Sequence, residues 1–288
     1  MKIIQKLKFK NQNGSVKLKM DSTSIKAIKE LLEKRHTKPK KGLGQNFLID
    51  KNALANIIQA ADIQPQDTVL EIGPGIGILT HALAQKAKEV IAVEKDGAML
   101  EILKETLKDC PNVKILQGDA LRYDAGLKIY KIVANLPYYI TSPIIRKFLE
   151  EKNQPTVMAL MVQKEVAQRI CAKPPRMSIL SVSAQFYAEP KIIAYVSKEK
   201  FWPAPKVDSA IIKIIPHTRQ EKIDANLFFK IIKAGFLHPR KQLANNLSVA
   251  LKKEREEIQD WLTKNNIAPA QRAETLAMQD WLNLTKSF

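Results

Sequence analysis

Cysteine and histidine are scarce in this chain, two and four residues among 288. Cys110 and Cys171 stand 61 positions apart with no Cys-x-x-Cys pair, which argues against a zinc site and against a disulfide framework, so no metal ligands are expected. No apolar run approaches the ~18–20 residues that span a bilayer. The lysine-rich N-terminus lacks the apolar h-region of a secretory signal. These absences predict a reduced, cytoplasmic setting and no membrane partner. Acidic residues also run short: 47 Lys and Arg face 29 Asp and Glu, a net charge of +18 with a pI near 9.7. Half of that excess lies in residues 1–50, where 13 basic residues face 4 acidic ones. A charge of this size and asymmetry predicts a nucleic-acid partner rather than a merely solvated surface, without separating RNA from DNA. The length admits one large domain or two ordinary ones, and 45% hydrophobic residues suffice for a substantial core.

Residues 1–21 read as a flexible basic extension. Recognisable pattern begins only at Ser22, which leaves Met20 as a candidate initiator. Ser22 to Glu33 predicts a short helix with Ile25, Ile28, Leu31 and Leu32 on one face. A basic, glycine-punctuated loop from Lys38 to Leu48 follows, with Lys40 and Lys41 as candidate nucleic-acid contacts, and leads into a helix for which Asp50 is the N-cap candidate. Strand-like runs then alternate with helices. Strands are predicted at Thr68–Ile72, Val90–Val93, Val113–Leu116, Lys131–Ala134, Val157–Val162, Leu180–Tyr187 and Ser209–Ile215. Helices are predicted at Ile78–Lys86, Ala98–Lys108, Pro143–Glu150 and Lys164–Ile170. This order implies an α/β fold, an open and mostly parallel sheet of about seven strands covered by helices on both faces. The sheet domain is expected over residues 22–216. Phe201 to Lys206 reads as an extended, proline-rich turn, Pro216 to Glu221 as a linker, and residues 217–288 as a small all-α domain.

Three segments converge on one crevice in such a sheet, because ligands sit outside the C-terminal strand ends. Gly73, Gly75 and Gly77 follow the first strand of the alternating pattern and let backbone approach a ligand at a helix N-terminus. The spacing is G-x-G-x-G after an acidic residue, not the dinucleotide pattern G-x-G-x-x-G. Glu94 ends the next strand, 21 residues beyond Gly73, where a carboxylate accepts from both ribose hydroxyls. Asp119 ends the third strand, placed to accept from an adenine amino group. Each alone reads as a cap or turn residue; together they predict an adenosine-type cofactor. Asn135-Leu136-Pro137-Tyr138 alone reads as a strand-to-helix turn. On the fourth strand end, along the same edge, it becomes a clamp for a flat ring, with an amide to hydrogen-bond and an aromatic face to stack.

With these residues in place the chain resembles the ribosomal RNA adenine dimethyltransferases of the small-subunit, kasugamycin-sensitivity type. The resemblance rests on Gly44 to Leu48, Glu71 to Gly75, Gly118 to Ala120, Asn135 to Tyr138, Gln163 to Ala167, Phe201 to Ser209 and Arg272 to Glu274, in order from Ser22 to the C-terminus. It implies a Rossmann-like methyltransferase sheet, S-adenosyl-L-methionine as methyl donor, and N6,N6-dimethylation of two adjacent adenosines in the 3′-terminal hairpin of 16S rRNA. It further implies a role in small-subunit biogenesis, with the pre-30S particle as partner, and a monomer. By the same resemblance Asn46 and Leu48 cover the donor's methionine part, Gly73 lies against it, Glu94 holds the ribose and Asp119 the donor's adenine. Asn135 and the Leu136 carbonyl accept from the target amino group, and Tyr138 stacks on its ring. Arg240 and Lys241 are candidate RNA contacts of the helical domain. The chain departs from the pattern at Pro239, where a basic cluster carries arginine, at the short Lys173 to Ser178 loop, and in its longer N-terminal arm.

Three rival readings stand against this one. The large-subunit rRNA adenine methyltransferases of the macrolide-resistance type share this chemistry but usually carry isoleucine where Leu136 stands. A ribosome-assembly factor that binds rRNA and methylates little would show the same basic surface. A nicotinamide-dependent dehydrogenase is opposed by the glycine spacing, the lack of a catalytic histidine constellation and the charge.

Overall fold

A computed structural model describes residues 24–124, 126–218 and 223–288. The expected extension over 1–21, the first two residues of the helix expected from Ser22, and part of the expected linker lie outside the described residues. In chain order the elements are α1 (Ile25–Lys34), β1 (Phe47–Leu48), α2 (Lys51–Ala61), β2 (Thr68–Ile72), α3 (Ile78–Ala84), β3 (Glu89–Glu94), α4 (Gly97–Thr106), β4 (Val113–Gln117) and β5 (Lys131–Asn135). They continue with α5 (Thr141–Glu150), β6 (Val157–Gln163), α6 (Lys164–Ile170), α7 (Ile179–Tyr187), β7 (Ala188–Val196), β8 (Phe201–Trp202) and β9 (Ser209–Pro216). Helices α8 (Ala225–Gly235), α9 (Leu243–Leu251), α10 (Arg255–Lys264) and α11 (Met278–Lys286) complete the chain.

Seven strands form one sheet in the order β4-β3-β2-β5-β6-β9-β7. Strands β4, β3, β2, β5 and β6 run parallel, and β9 is antiparallel to both its neighbours. The central strands explain their own position. Ile132, Val133 and Ala134 of β5 and Met158 to Val162 of β6 are all fully buried, as continuous apolar runs covered on both faces must be. One face packs Ile144, Ile145 and Phe148 of α5 and Ala167 and Ile170 of α6. The other packs Ala53, Ile57 and Ala60 of α2 and Leu79 and Leu83 of α3. The order reverses between β2 and β5, and the crevice outside their C-terminal ends is where an open α/β sheet takes a ligand.

Six of the seven expected strands are present within two residues of their predicted bounds. The seventh is not: Leu180 to Tyr187 lies in helix α7, and the strand follows at Ala188. Leu180, Val182, Ala184 and Phe186 alternate as a strand would, but Ser178 starts a helix. Its hydroxyl accepts from the Ser181 backbone N–H at 3.3 Å, and the Ser181 hydroxyl accepts from that of Ser178 at 2.7 Å, a reciprocal cap. Strand β7 gives little signal because it is an edge, with Glu189, Lys191, Ile193 and Tyr195 exposed.

After Pro216 every described element is helical. Helices α8 to α11 share a core with Met177 and Val182, and the Met177 backbone N–H donates to the Glu274 carbonyl at 2.9 Å, so the short Lys173 to Ser178 loop is moored to the helices. Gly235 is closely packed within this core. A Cβ there would stand 2.5 Å from Cη2 and 3.0 Å from Cζ3 of Trp281, whose ring is fully buried. Overpacking of this kind costs about 1–3 kcal/mol. Gly235→Ala is therefore expected to lower the urea unfolding midpoint, by an amount equivalent to about 1 kcal/mol after the helix gain of alanine. An unchanged midpoint would show that the Trp281 ring yields freely.

Candidate active site

The ends of β2, β3, β4 and β5 form the wall of a single cavity. Gly73, Gly75, Glu94, Asp119 and Asn135 all line it, as do Asn46 and Leu48 from the loop across the opening. The glycine turn is conformationally demanding: Gly73 and Gly75 have φ of +68° and +58°, in the left-handed region. It is also spatially closed. A Cβ on Gly75 would meet the Phe47 ring at 3.2 Å, and one on Gly44 (φ +64°) would meet Pro137 Cβ at 3.2 Å. The Gly44 to Leu48 loop thus lies directly on the glycine turn and on Pro137.

Two fastenings hold that loop. Phe47 and Leu48 pair antiparallel with Trp202 and Phe201, and the Ile49 N–H donates to the Lys200 carbonyl at 2.9 Å. The expected proline-rich turn therefore contains a two-residue strand. Lys200 also pairs with Asp50 at 2.8 Å, which holds that carboxyl below the usual range, and the Asp50 side chain caps α2 as expected. The second fastening is Asp96. Lys40 Nζ reaches its Oδ1 at 2.7 Å and Gln45 Nε2 its Oδ2 at 2.9 Å. Burial alone would raise this carboxyl, but Lys40 and Gln45 outweigh it and hold it low. The Asp96 N–H in turn donates to Glu94 Oε1 at 2.8 Å, and the Gly75 N–H to Glu94 Oε2 at 3.1 Å. One chain of hydrogen bonds thus joins the loop to the carboxylate on β3 and to the glycine turn. Burial pushes the Glu94 carboxyl up, with the donated backbone N–H groups opposing.

The other predicted residues take specific places. Asp119 Oδ2 pairs with Lys95 at 2.9 Å and its Oδ1 accepts from the Leu121 N–H at 3.0 Å, which keeps it ionised. Asn135 ends β5, and its Nδ2 donates to the Asn46 carbonyl at 3.1 Å, which leaves Oδ1 as the acceptor end. Leu136 is buried and its N–H donates to the Met161 carbonyl at 3.1 Å. Pro137 lines the cavity, as does the exposed Tyr139, whereas the Tyr138 hydroxyl is bonded to Ser209 Oγ at 2.8 Å. Lys40 is committed to Asp96, while Lys41, Arg240 and Lys241 are exposed, with no ion pair among the described residues.

Sequence reasoning missed three contributors. Asp96 is legible only as the N-cap of α4, not as the hub it is. Tyr139 is overshadowed by its neighbour in the motif. Glu71, on β2 between Ala92 and Val133, is 1% exposed, lines the cavity, and its Oε2 has no hydrogen-bond partner among the described residues. Burial, aided by Glu94 and opposed by Thr80, pushes its carboxyl up to about 8. An acidic residue inside an otherwise apolar buried strand was the available signal. A glycine cradle that Cβ atoms would fill, a buried carboxyl with one orphaned oxygen and two further carboxylates at strand ends fit a cationic adenosine-type cofactor such as S-adenosyl-L-methionine.

The chain is similar to known proteins in sequence and in fold. A family profile described as ribosomal RNA adenine dimethylase matches residues 36–288. The ribosomal RNA small subunit methyltransferase A of Dehalococcoides mccartyi is 46% identical over 230 residues, covering 77% of this chain and 79% of its own length. The protein of the same name from Geobacillus kaustophilus is 42% identical over 247 residues, covering 80% and 84%. Among solved structures, the 23S rRNA methyltransferase ErmE superposes with a TM-score of 0.71 at 26% identity, over 84% of this chain and 99% of its own. A dimethyladenosine transferase from Plasmodium falciparum does so with a TM-score of 0.73 at 27% identity, over 83% and 95%. The chain belongs to the ribosomal RNA adenine dimethylase family.

Proposed function

We propose that this protein converts two adjacent adenosines in the 3′-terminal hairpin of 16S rRNA to N6,N6-dimethyladenosine, with S-adenosyl-L-methionine as methyl donor. Family membership carries the donor and the adenine acceptor. The choice of small over large subunit rests on relatives at 42–46% identity named for the small subunit, since the fold is common to a 23S enzyme. The single observation that carries the site is Asn135, placed at the reversal of strand order with its amide oriented by Asn46.

The donor, when bound, supplies an electrophilic methyl group on a sulfonium. Asn46, Leu48, Gly73 and Gly75 hold its methionine part, Glu94 its ribose and Asp119 its adenine. The acceptor amine is a weak nucleophile because its lone pair is delocalised into the ring. Asn135 Oδ1 and the Leu136 carbonyl accept its two N–H hydrogens and favour a pyramidal nitrogen whose lone pair faces the methyl. Positioning and fixed dipoles then carry the rate. Pro137 fixes the turn between these acceptors and Tyr138, which receives the flipped ring; stacking offsets part of the few kcal/mol that unstacking costs.

Residues 22–216 form the catalytic domain in this reading and 217–288 the RNA-docking domain, where Arg240 and Lys241 meet phosphates. Lys41 does so beside the site, on a loop that Lys40 anchors. The protein acts as a cytoplasmic monomer on the pre-30S particle. The test is nucleoside analysis of rRNA after incubating separated ribosomal subunits with the protein and methyl-labelled donor. Dimethyladenosine in 16S rRNA is expected; label confined to 23S rRNA would reverse the assignment.

A further inference from the structure

A second, more open cavity of about 420 Å³ lies beside the first. Gln163, Lys164 and Gln168 form one wall, Lys198 and Lys206 the other, and Asp208 joins them. The Asp208 carbonyl accepts from the Lys164 N–H at 3.0 Å, and its Oδ1 from the Lys198 N–H at 3.1 Å, so the carboxylate serves the wall itself. The three lysines differ from those around the donor cavity. Lys40, Lys95 and Lys200 each pair with an aspartate, whereas Lys164, Lys198 and Lys206 are exposed and none has an ion-pair partner among the described residues. Lys164 instead rests 5.4 Å above the exposed ring of Tyr195. Glu165 at the rim is the one carboxylate there besides Asp208 and bonds to none of the three.

Position gives the cavity its meaning. Pro137 and Tyr139 line the donor cavity, while the Tyr138 hydroxyl is bonded to Ser209, which follows Asp208 and pairs with Gln163 across β6 and β9. The Tyr138 hydroxyl thus ties the turn after β5 to the strand ends that border the second cavity. A base stacked on that ring with its amino group at Asn135 would bring its sugar-phosphate chain close to these strand ends and the lysines beside them.

We propose that Lys164, Lys198 and Lys206 form an anchoring subsite for the RNA phosphodiester backbone flanking the target adenosine. The inference rests on the functional reading above for which base occupies the first cavity. Three cations without an ion-pair partner among the described residues release counterions when they meet phosphates, and the glutamine amides add neutral donors. The subsite sets substrate affinity and register; the methyl transfer itself stays with Asn135 and Leu136.

The test replaces all three lysines by glutamine and compares the variant with a control triple at Lys86, Lys108 and Lys152, exposed lysines just beyond the C-termini of α3, α4 and α5, at the end of the sheet opposite both cavities. With single-stranded oligoadenylate as probe, the slope of log affinity against log salt should fall by about 2, at roughly 0.7 for each phosphate the protein no longer neutralises. On small-subunit particles the apparent KM should rise about 10-fold or more at physiological salt, with kcat and S-adenosylhomocysteine affinity unchanged. The control triple should leave both near wild type. A wild-type slope and KM in the Lys164, Lys198 and Lys206 variant, or an equal loss in the control, would overturn the subsite. Failure of the wild-type protein to methylate small-subunit particles would instead strike the proposed function, and the oligoadenylate slopes would still decide the subsite.

Discussion

Asn135→Ala is expected to lower kcat for rRNA methylation by about 10²–10³-fold, the range seen when one preorganised hydrogen-bonding group is removed from a transition-state site. The side chain does two things at once. Its Nδ2 ties the Gly44 to Leu48 loop to the sheet through the Asn46 carbonyl at 3.1 Å, and its Oδ1 is left to accept from the substrate amine. Alanine removes both. Aspartate separates them, because it keeps an acceptor but sets a negative oxygen against the Asn46 carbonyl. Asn135→Asp should therefore weaken S-adenosylhomocysteine binding, measured by calorimetry, more than it lowers the single-turnover rate at saturating donor. The alanine variant should show the reverse emphasis, and its urea unfolding should stay near wild type because Asn135 is only partly buried. Single-turnover methylation by Asn135→Ala within about threefold of wild type would remove this residue from the transfer step.

What could be read from the sequence follows the range over which each residue's reason acts. The apolar runs of β5 and β6 announce themselves because both faces are buried, and the glycine turn because no other residue takes those angles readily. The strand at β7 was misplaced because a Ser-capped helix can carry the same alternation, and an edge strand has too few buried positions to contradict it. Within the site, Gly73, Glu94, Asp119 and Asn135 were legible because each ends a strand and parallel strands end together. Asp96 was not, because its role depends on Lys40 and Gln45 arriving from a loop more than fifty residues earlier. The pairing of Phe47 and Leu48 with Trp202 and Phe201 is equally long-range, and two-residue strands leave no periodic trace. Tyr138 shows the same limit from the other side. The motif predicts its aromatic face, but its bond to Ser209, and with it the link to the strand ends beside the second cavity, needs the β6–β9 register.

Glu71→Gln is expected to stabilise the protein at alkaline pH and to leave it nearly unchanged in mild acid. The Glu71 carboxyl is buried among the strand ends, which raises it to about 8 from an ordinary value of 4.5, with Glu94 adding and Thr80 opposing. Between those two values the folded state holds a proton that the unfolded chain has released. Stability linked to this group is therefore fully present below about pH 4.5 and is lost as the pH rises through about 8. A shift of this size corresponds to about 5 kcal/mol across the window, at roughly 1.4 kcal/mol per pH unit. Glutamine keeps the shape and the hydrogen-bonding character of the protonated acid but does not titrate. Urea unfolding of both proteins at about pH 5 and about pH 8.5 measures the difference directly. The two should nearly coincide in the acid, and the glutamine variant should be the more stable by several kcal/mol in the alkali. Such a gain would show that the acid is held at the floor of the donor cavity at a cost to folding, as expected of a group that serves a bound cation rather than the core. Parallel pH dependence in the two proteins would mean that Glu71 ionises as readily in the fold as outside it, and the cavity floor would then be far wetter than its 1% exposure implies.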